Sequence, residues 1–132
     1  MRNNRLVLLV LVVSVFTGCR GDIREATNQV GFSAADINGI WKDTATGAMV
    51  RISGVDLHQT GTGTVYAMGT ALPSSALGGI CIKEVEFIRA GYWEAYHQQF
   101  TGGSWQQTRV IGLTMKVSKS ELRMGDKVYS RR

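Results

Sequence analysis

From Ile37 onward the chain is written in short runs of β-branched and aromatic residues, each ended by glycine or a small polar cluster. That pattern constrains the fold more than any other feature. Branched and aromatic side chains pack well on a pleated surface, and frequent glycines supply tight reversals between neighbouring strands. The chain holds 16 glycines against a single proline, Pro73, so little interrupts a backbone ladder once it forms. An antiparallel all-β domain is the expectation.

The runs place strands at Ile40 to Asp43, Ala48 to Ser53, Thr62 to Met68, Ile80 to Arg89, Tyr92 to Phe100, Trp105 to Leu113, Met115 to Val117, Glu121 to Met124 and Lys127 to Arg131. Thr44 to Gly47, Gly54 to Asp56, Ala90-Gly91, Thr101 to Gly103 and Gly125-Asp126 supply turns, and Tyr92 to Leu113 reads as a hairpin. Gly69 to Gly79, which contains Pro73 and Gly78-Gly79, is the longest interruption and the candidate mobile loop. Neither face of Ile80 to Arg89 is cleanly apolar, which predicts a bulge or register change near Lys83. About eight strands in up-and-down order can close a small barrel, or form a strongly curved meander, and closure removes exposed edges.

The first residues carry a different message. Arg2 and Arg5 precede the uncharged run Leu6 to Phe16, then Thr17, Gly18 and Cys19, after which the chain turns polar. These eleven uncharged residues span only about 16 Å as a helix, short of the ~30 Å hydrocarbon core, so a cleaved export signal is expected rather than a permanent span. Phe16-Thr17-Gly18-Cys19 resembles the lipobox of bacterial lipoproteins, with Phe16 where Leu is usual. The resemblance implies cleavage between Gly18 and Cys19 and a membrane anchor through lipid on Cys19. Arg20, in place of a retaining Asp, implies the outer membrane with the domain on the periplasmic side. Residues 1–18 then form the signal, 19–36 the lipidated cysteine and its tether, and 37–132 the β domain.

Removal of residues 1–18 takes away Arg2 and Arg5 and lowers the formal charge from +5 to +3. Seven basic residues lie between Arg109 and Arg132 against Glu121 and Asp126, a dispersed arrangement that fits a solvated strand face. It lacks the dense basic and aromatic pattern of a nucleic-acid reader. With Cys19 committed to lipid, Cys81 has no partner for a disulfide, and Ile80-Cys81-Ile82 is an apolar setting that would shelter a lone thiol. His58 and His97 stand far apart with no ligand spacing around either, so no metal and no cofactor are expected.

Gly39-Ile40-Trp41 near the start of the domain and Arg131 on its last strand resemble the Gly-x-Trp opening and terminal arginine of the lipocalin-like barrels. That resemblance implies that Trp41 closes one end of a barrel and that Arg131 stacks across it. The candidate binding surface is the aromatic hairpin, where alternation sets Tyr92, Glu94, Tyr96, Gln98 and Phe100 on one face and Trp93, Ala95, His97 and Gln99 on the other, with Trp105 across the turn. If the first face is inward, Glu94 and Gln98 become polar handles on a ligand floor; if the second is, Glu94 and Tyr96 look outward.

Three functions follow as expectations. The first is a non-catalytic, membrane-tethered binding or structural module for an envelope protein partner. Envelope lipoproteins that inhibit lysozymes do this, although their barrels carry a disulfide that one cysteine cannot form. The second is a carrier of a small apolar ligand. An interior packed solid by Trp41, Phe87 and Tyr96 would remove it, and a cavity of several hundred Å3 would favour it. The third, an envelope hydrolase, would need Glu86, Glu94 and His97 as acid and base with Cys81 as nucleophile. No nucleophile elbow, paired-histidine metal motif or phosphate loop supports it, and a non-enzyme is expected.

Overall fold

The computed structural model describes residues 31–132. Eight strands follow in chain order: β1 (Gly39–Asp43), β2 (Met49–Ser53), β3 (Gly61–Ala67), β4 (Ile80–Arg89), β5 (Tyr92–Thr101), β6 (Ser104–Met115), β7 (Glu121–Met124) and β8 (Lys127–Arg131). Each pairs antiparallel with the next, and β8 returns to β1 with Trp41 opposite Arg131, so the sheet is a closed up-and-down barrel. Closure satisfies the ladder groups that would otherwise stand at two free edges.

Two boundaries differ from the sequence reading. Met115 to Val117 is not a separate strand: β6 runs unbroken through Gly112 to Met115, because Leu113, Thr114 and Met115 stay paired with Met124, Arg123 and Leu122 of β7. The reversal comes later, where Lys116 N–H donates to Glu121 O (3.1 Å) and Lys119 takes a left-handed φ of 60°. The domain also begins before Ile37. Phe32 and Ala34 are buried in the core, so the end of the presumed tether belongs to the barrel.

Residues Ala34–Ile37 form a single 3-10 turn that plugs one end. A buried turn must find partners for its carbonyls, and here every one from residue 34 to 38 is taken. Trp93 Nε1 donates to Ala34 O (2.9 Å), Asn38 N–H to Ala35 O (3.0 Å) and Trp41 Nε1 to Ile37 O (2.8 Å). Arg131 supplies the remaining two, from Nη2 to Asp36 O (2.6 Å) and from Nη1 to Asn38 O (3.1 Å), while its Nε donates to Lys119 O (2.8 Å). The guanidinium carbon lies 4.2 Å from the centre of the Trp41 ring. The Asn38 side chain ties in the β2–β3 loop by accepting from Val55 N–H and donating to Val55 O.

Strand alternation fills the plugged half. Trp41, Ile52, Val85, Trp93, Leu113 and Leu122 are fully buried together with Ile37 of the plug. Close packing there needs glycine: a Cβ on Gly63 would collide with Ile82 and stand 3.0 Å from Val50. The irregularity expected near Lys83 is present as a register shift between Lys83 and Glu86, with Glu84 at φ 51°, and it lets Ile82 and Val85 both face inward. The Gly102-Gly103 pair, at φ 61° and 85°, makes the tight β5–β6 turn.

The plug, the β2–β3 loop, the β4–β5 turn and the β6–β7 loop share one pole, which is also where residue 31 leads into the fold. The β1–β2, β3–β4, β5–β6 and β7–β8 connections share the other. The β3–β4 connection is not slack. Gly78 N–H bonds Val65 O and Val65 N–H bonds Gly79 O (both 2.9 Å), Thr70 N–H bonds Thr46 O (2.9 Å), and Ala76 is fully buried.

Candidate functional site

Towards the second pole the barrel is not filled. A cavity of about 540 Å3 opens there, its walls including Val50, Val65, Ile82, Ile111 and Met124 from the strands and Ala71 and Leu72 from the β3–β4 connection. Strand parity explains why it becomes polar towards the rim. Inward positions on β5 run Trp93, Ala95, His97; on β6, Leu113, Ile111, Arg109; on β8, Arg131, Tyr129, Lys127; and on β1, Trp41 and Asp43. One step beyond the apolar layer, four strands thus contribute a histidine, an arginine, a lysine and an aspartate, and all four line the cavity.

Asp43 is largely occupied with local structure. Its carboxylate accepts from Ala45 N–H (2.9 Å) and Thr46 Oγ1 (3.0 Å), which shapes the β1–β2 turn, and Lys127 Nζ stands 3.8 Å away. Arg109 makes no ion pair among the described residues. His97 Nδ1 lies 3.0 Å from Thr108 Oγ1, whose own proton goes to His97 O (3.2 Å), so Nδ1 is the donor and Nε2 of the neutral ring is left as an acceptor. Burial first, then the positive charges of Arg109 and Lys127, hold His97 below its ordinary 6.5.

Tyr129 is 9 % exposed and lines the cavity, yet its hydroxyl has no hydrogen-bond partner among the described residues. Burial and the nearby Asp43 carboxylate raise its pKa, so it stays a phenol with a proton to give. Cys81 sits in a β4 irregularity opposite Gly63, donates its thiol to Gly63 O (3.4 Å) and lines the cavity beside Ile82. Burial pushes that thiol up to about 12. Gln98, 5 % exposed, donates to Ile80 O (3.1 Å), and Trp105 closes against Gly79 and meets Phe100 edge-on at 5.0 Å.

Comparison with known protein families, with curated proteins and with solved structures finds no match.

The sequence-derived candidates divide. Trp41 and Arg131 meet at the plugged pole. Gln98 and Trp105 line the cavity, as does Phe100, whereas Tyr92, Glu94 and Tyr96 lie on the outer face of β5 and take no part. As far as Ala95 the second of the two alternations is the inward one, because Trp93 and Ala95 pack in the core and Tyr96 cannot help fill the interior. The register shift between Tyr96 and Gln98 then turns Gln98 inward and leaves Gln99 exposed. Glu94 pairs with Glu86 across the outer face while His97 faces the opposite side, so that acid and base set is not assembled. Gly18 and Cys19 lie outside the described residues. Arg109, Lys127, Tyr129 and Asp43 were missed. Their one signal is parity with Ile111, Trp41 and the inward end of β8, which is readable only once strand bounds and faces are known. Among the described residues no three His, Cys, Asp or Glu side chains stand together as a metal site.

Proposed function

We propose that the chain is a lipoprotein of the bacterial envelope, anchored through Cys19, whose barrel binds a small ligand with its apolar part inside the open half. The observation that carries this reading is the cavity of about 540 Å3, within the range of small-molecule sites, with buried Val50, Val65, Ile82, Ile111 and Met124 on one part of its wall and polar and charged side chains on the rest. At roughly 30 Å3 per heavy atom, the volume share of a water molecule, it would hold a ligand of about 15 to 18 such atoms. The lipocalin-like resemblance of Gly39-Ile40-Trp41 and Arg131 agrees with this, since a plug at one pole leaves the other free for loading.

The position of the anchor adds direction. Residue 31 joins the barrel at the plugged pole, so a tether running back to Cys19 would hold the mouth on the side away from the membrane. Exchange would then take place with envelope solutes or carriers rather than with the anchoring bilayer. A protein-partner role is the second reading, favoured by the outer face of the hairpin, where Tyr96 pairs with the half-exposed Val110.

The test uses the mature sequence 19–132 carrying Cys19→Ser, free of detergent, titrated with the neutral apolar dye N-phenyl-1-naphthylamine. One saturable site whose binding is weakened by Ile111→Glu or Val65→Glu is expected. A barrel that takes up no dye while remaining folded would rule the carrier reading out. Mass measurement of the mature native protein tests the anchor, which requires an N-terminal Cys19 bearing acyl mass and no retained signal residues.

A further inference from the structure

We infer that the mouth of the cavity selects an anionic head group, so that the ligand is a single-chain amphiphile with its tail among Val50, Val65, Ile82 and Ile111 and its acid group between His97, Arg109 and Lys127. This rests on the carrier reading and names the ligand class that reading leaves open.

Three observations combine. His97, Arg109 and Lys127 come from three strands, yet each stands two residues beyond a buried inward position (Ala95, Ile111 and Tyr129) and lines the cavity. Arg109 lines the cavity at its exposed rim with no carboxylate partner among the described residues, so its fork of donors is open to an incoming anion. Finally, Tyr129 lines the same space, and its hydroxyl has no hydrogen-bond partner among the described residues, which leaves its proton to donate. A carboxylate or sulfate would answer all of these at once: Arg109 supplies a fork of donors, Lys127 a point charge, and Tyr129 a neutral donor below them.

Two acids also line the mouth and must be weighed against this. Asp43 is spent on Ala45 N–H and Thr46 Oγ1, and the remaining Coulomb pairing with Lys127 spans 3.8 Å. Asp126 lies in the β7–β8 turn, exposed to water and its screening. Asp43 and Asp126 act on Tyr129 from the β1 and β8 side, where Lys127 also stands, whereas His97, on β5, feels Arg109 of the neighbouring β6 first among the cations and then Lys127. The head group belongs on the His97 side. Once an anion neutralises those cations, Nε2 of His97 gains a reason to take a proton and becomes a further donor.

The experiment displaces the dye from the mature Cys19→Ser chain at pH 7.5 with three ligands of one chain length: dodecanoate, 1-dodecanol and dodecyltrimethylammonium. Dodecanoate should compete at least about tenfold better than the alcohol, as expected for charge-assisted bonds in a partly dry site, and the ammonium worst of all. Arg109→Gln and Lys127→Gln should each shrink the acid-to-alcohol ratio while leaving alcohol binding within about twofold. The His97 ring, followed by NMR, should titrate at higher pH with dodecanoate bound than without. Equal competition by acid and alcohol, or a ratio untouched by both variants, would overturn the charge selection and leave the cavity reading standing. Failure of the dye itself to bind would remove that reading and this inference together.

Discussion

Replacing Arg131 by methionine should remove much of the barrel's closure while keeping a side chain of similar length. The guanidinium makes three bonds to carbonyls, at 2.6, 2.8 and 3.1 Å, and lies 4.2 Å from the Trp41 ring centre. A bond from a charged donor contributes ~1.5 to 3 kcal/mol when its partner stays buried. These carbonyls belong to half-buried residues that water can reach after the change, so about 1 kcal/mol each is the better figure. The stacking adds ~0.5 to 2 kcal/mol. The loss should therefore be about 3.5 to 5 kcal/mol, which for a domain of about 100 residues lowers the melting temperature by roughly 14 to 40 °C. Urea unfolding followed by circular dichroism would measure it, with the slope checked for two-state behaviour. Arg131→Lys keeps the charge near Trp41 but cannot reach three carbonyls, and should lose about half as much. If methionine costs under about 1 kcal/mol, or lysine costs nothing, the guanidinium does not hold the plug and the account of closure given above is wrong.

Other consequences can be tested alongside. The His97 pKa is depressed by burial and by Arg109 and Lys127, so the unfolded chain binds its proton first as pH falls below 6.5. The wild type should lose stability relative to His97→Gln across that window and level off below the folded pKa; an opposite slope in urea midpoints against pH would contradict the assignment. Cys81, with its thiol pushed up to about 12, should be only ~0.01 % thiolate at pH 8 and react far more slowly than free cysteine with a disulfide reagent, more slowly still with dodecanoate bound. Fast, ligand-insensitive labelling would place it outside the cavity. Gly63→Ala forces a methyl into Ile82 and Val50 and should destabilise by about 1 to 3 kcal/mol, whereas unchanged thermal stability would mean that β3 can shift outward.

Much of the architecture was legible because local chemistry sets it. Glycine pairs made the turns where φ is positive, as at Gly102-Gly103, and the mixed faces of Ile80 to Arg89 pointed to the irregularity found at Glu84. The candidate site was legible only in part. Tyr92 to Phe100 offers two faces of similar polarity, and alternation alone does not say which is inward. What settles it is Trp93, whose indole is wholly buried and bonded to Ala34 O, a residue 59 positions away in the chain. Residues 32–36 looked like tether because a single 3-10 turn has no period to detect; their role depends on carbonyls that distant side chains satisfy.

By itself, then, the sequence determined the strand succession, the turns and the likeness of Phe16 to Cys19 to a lipidation signal. These are properties of neighbours along the chain, fixed by backbone freedom, side-chain branching and composition. Only the tertiary structure decided that β8 closes on β1, that one pole is plugged and the other open, and that His97, Arg109, Lys127 and Tyr129 share a mouth. Those depend on closure and register, which bring together residues from strands far apart in the chain, and no local pattern records which of them will meet.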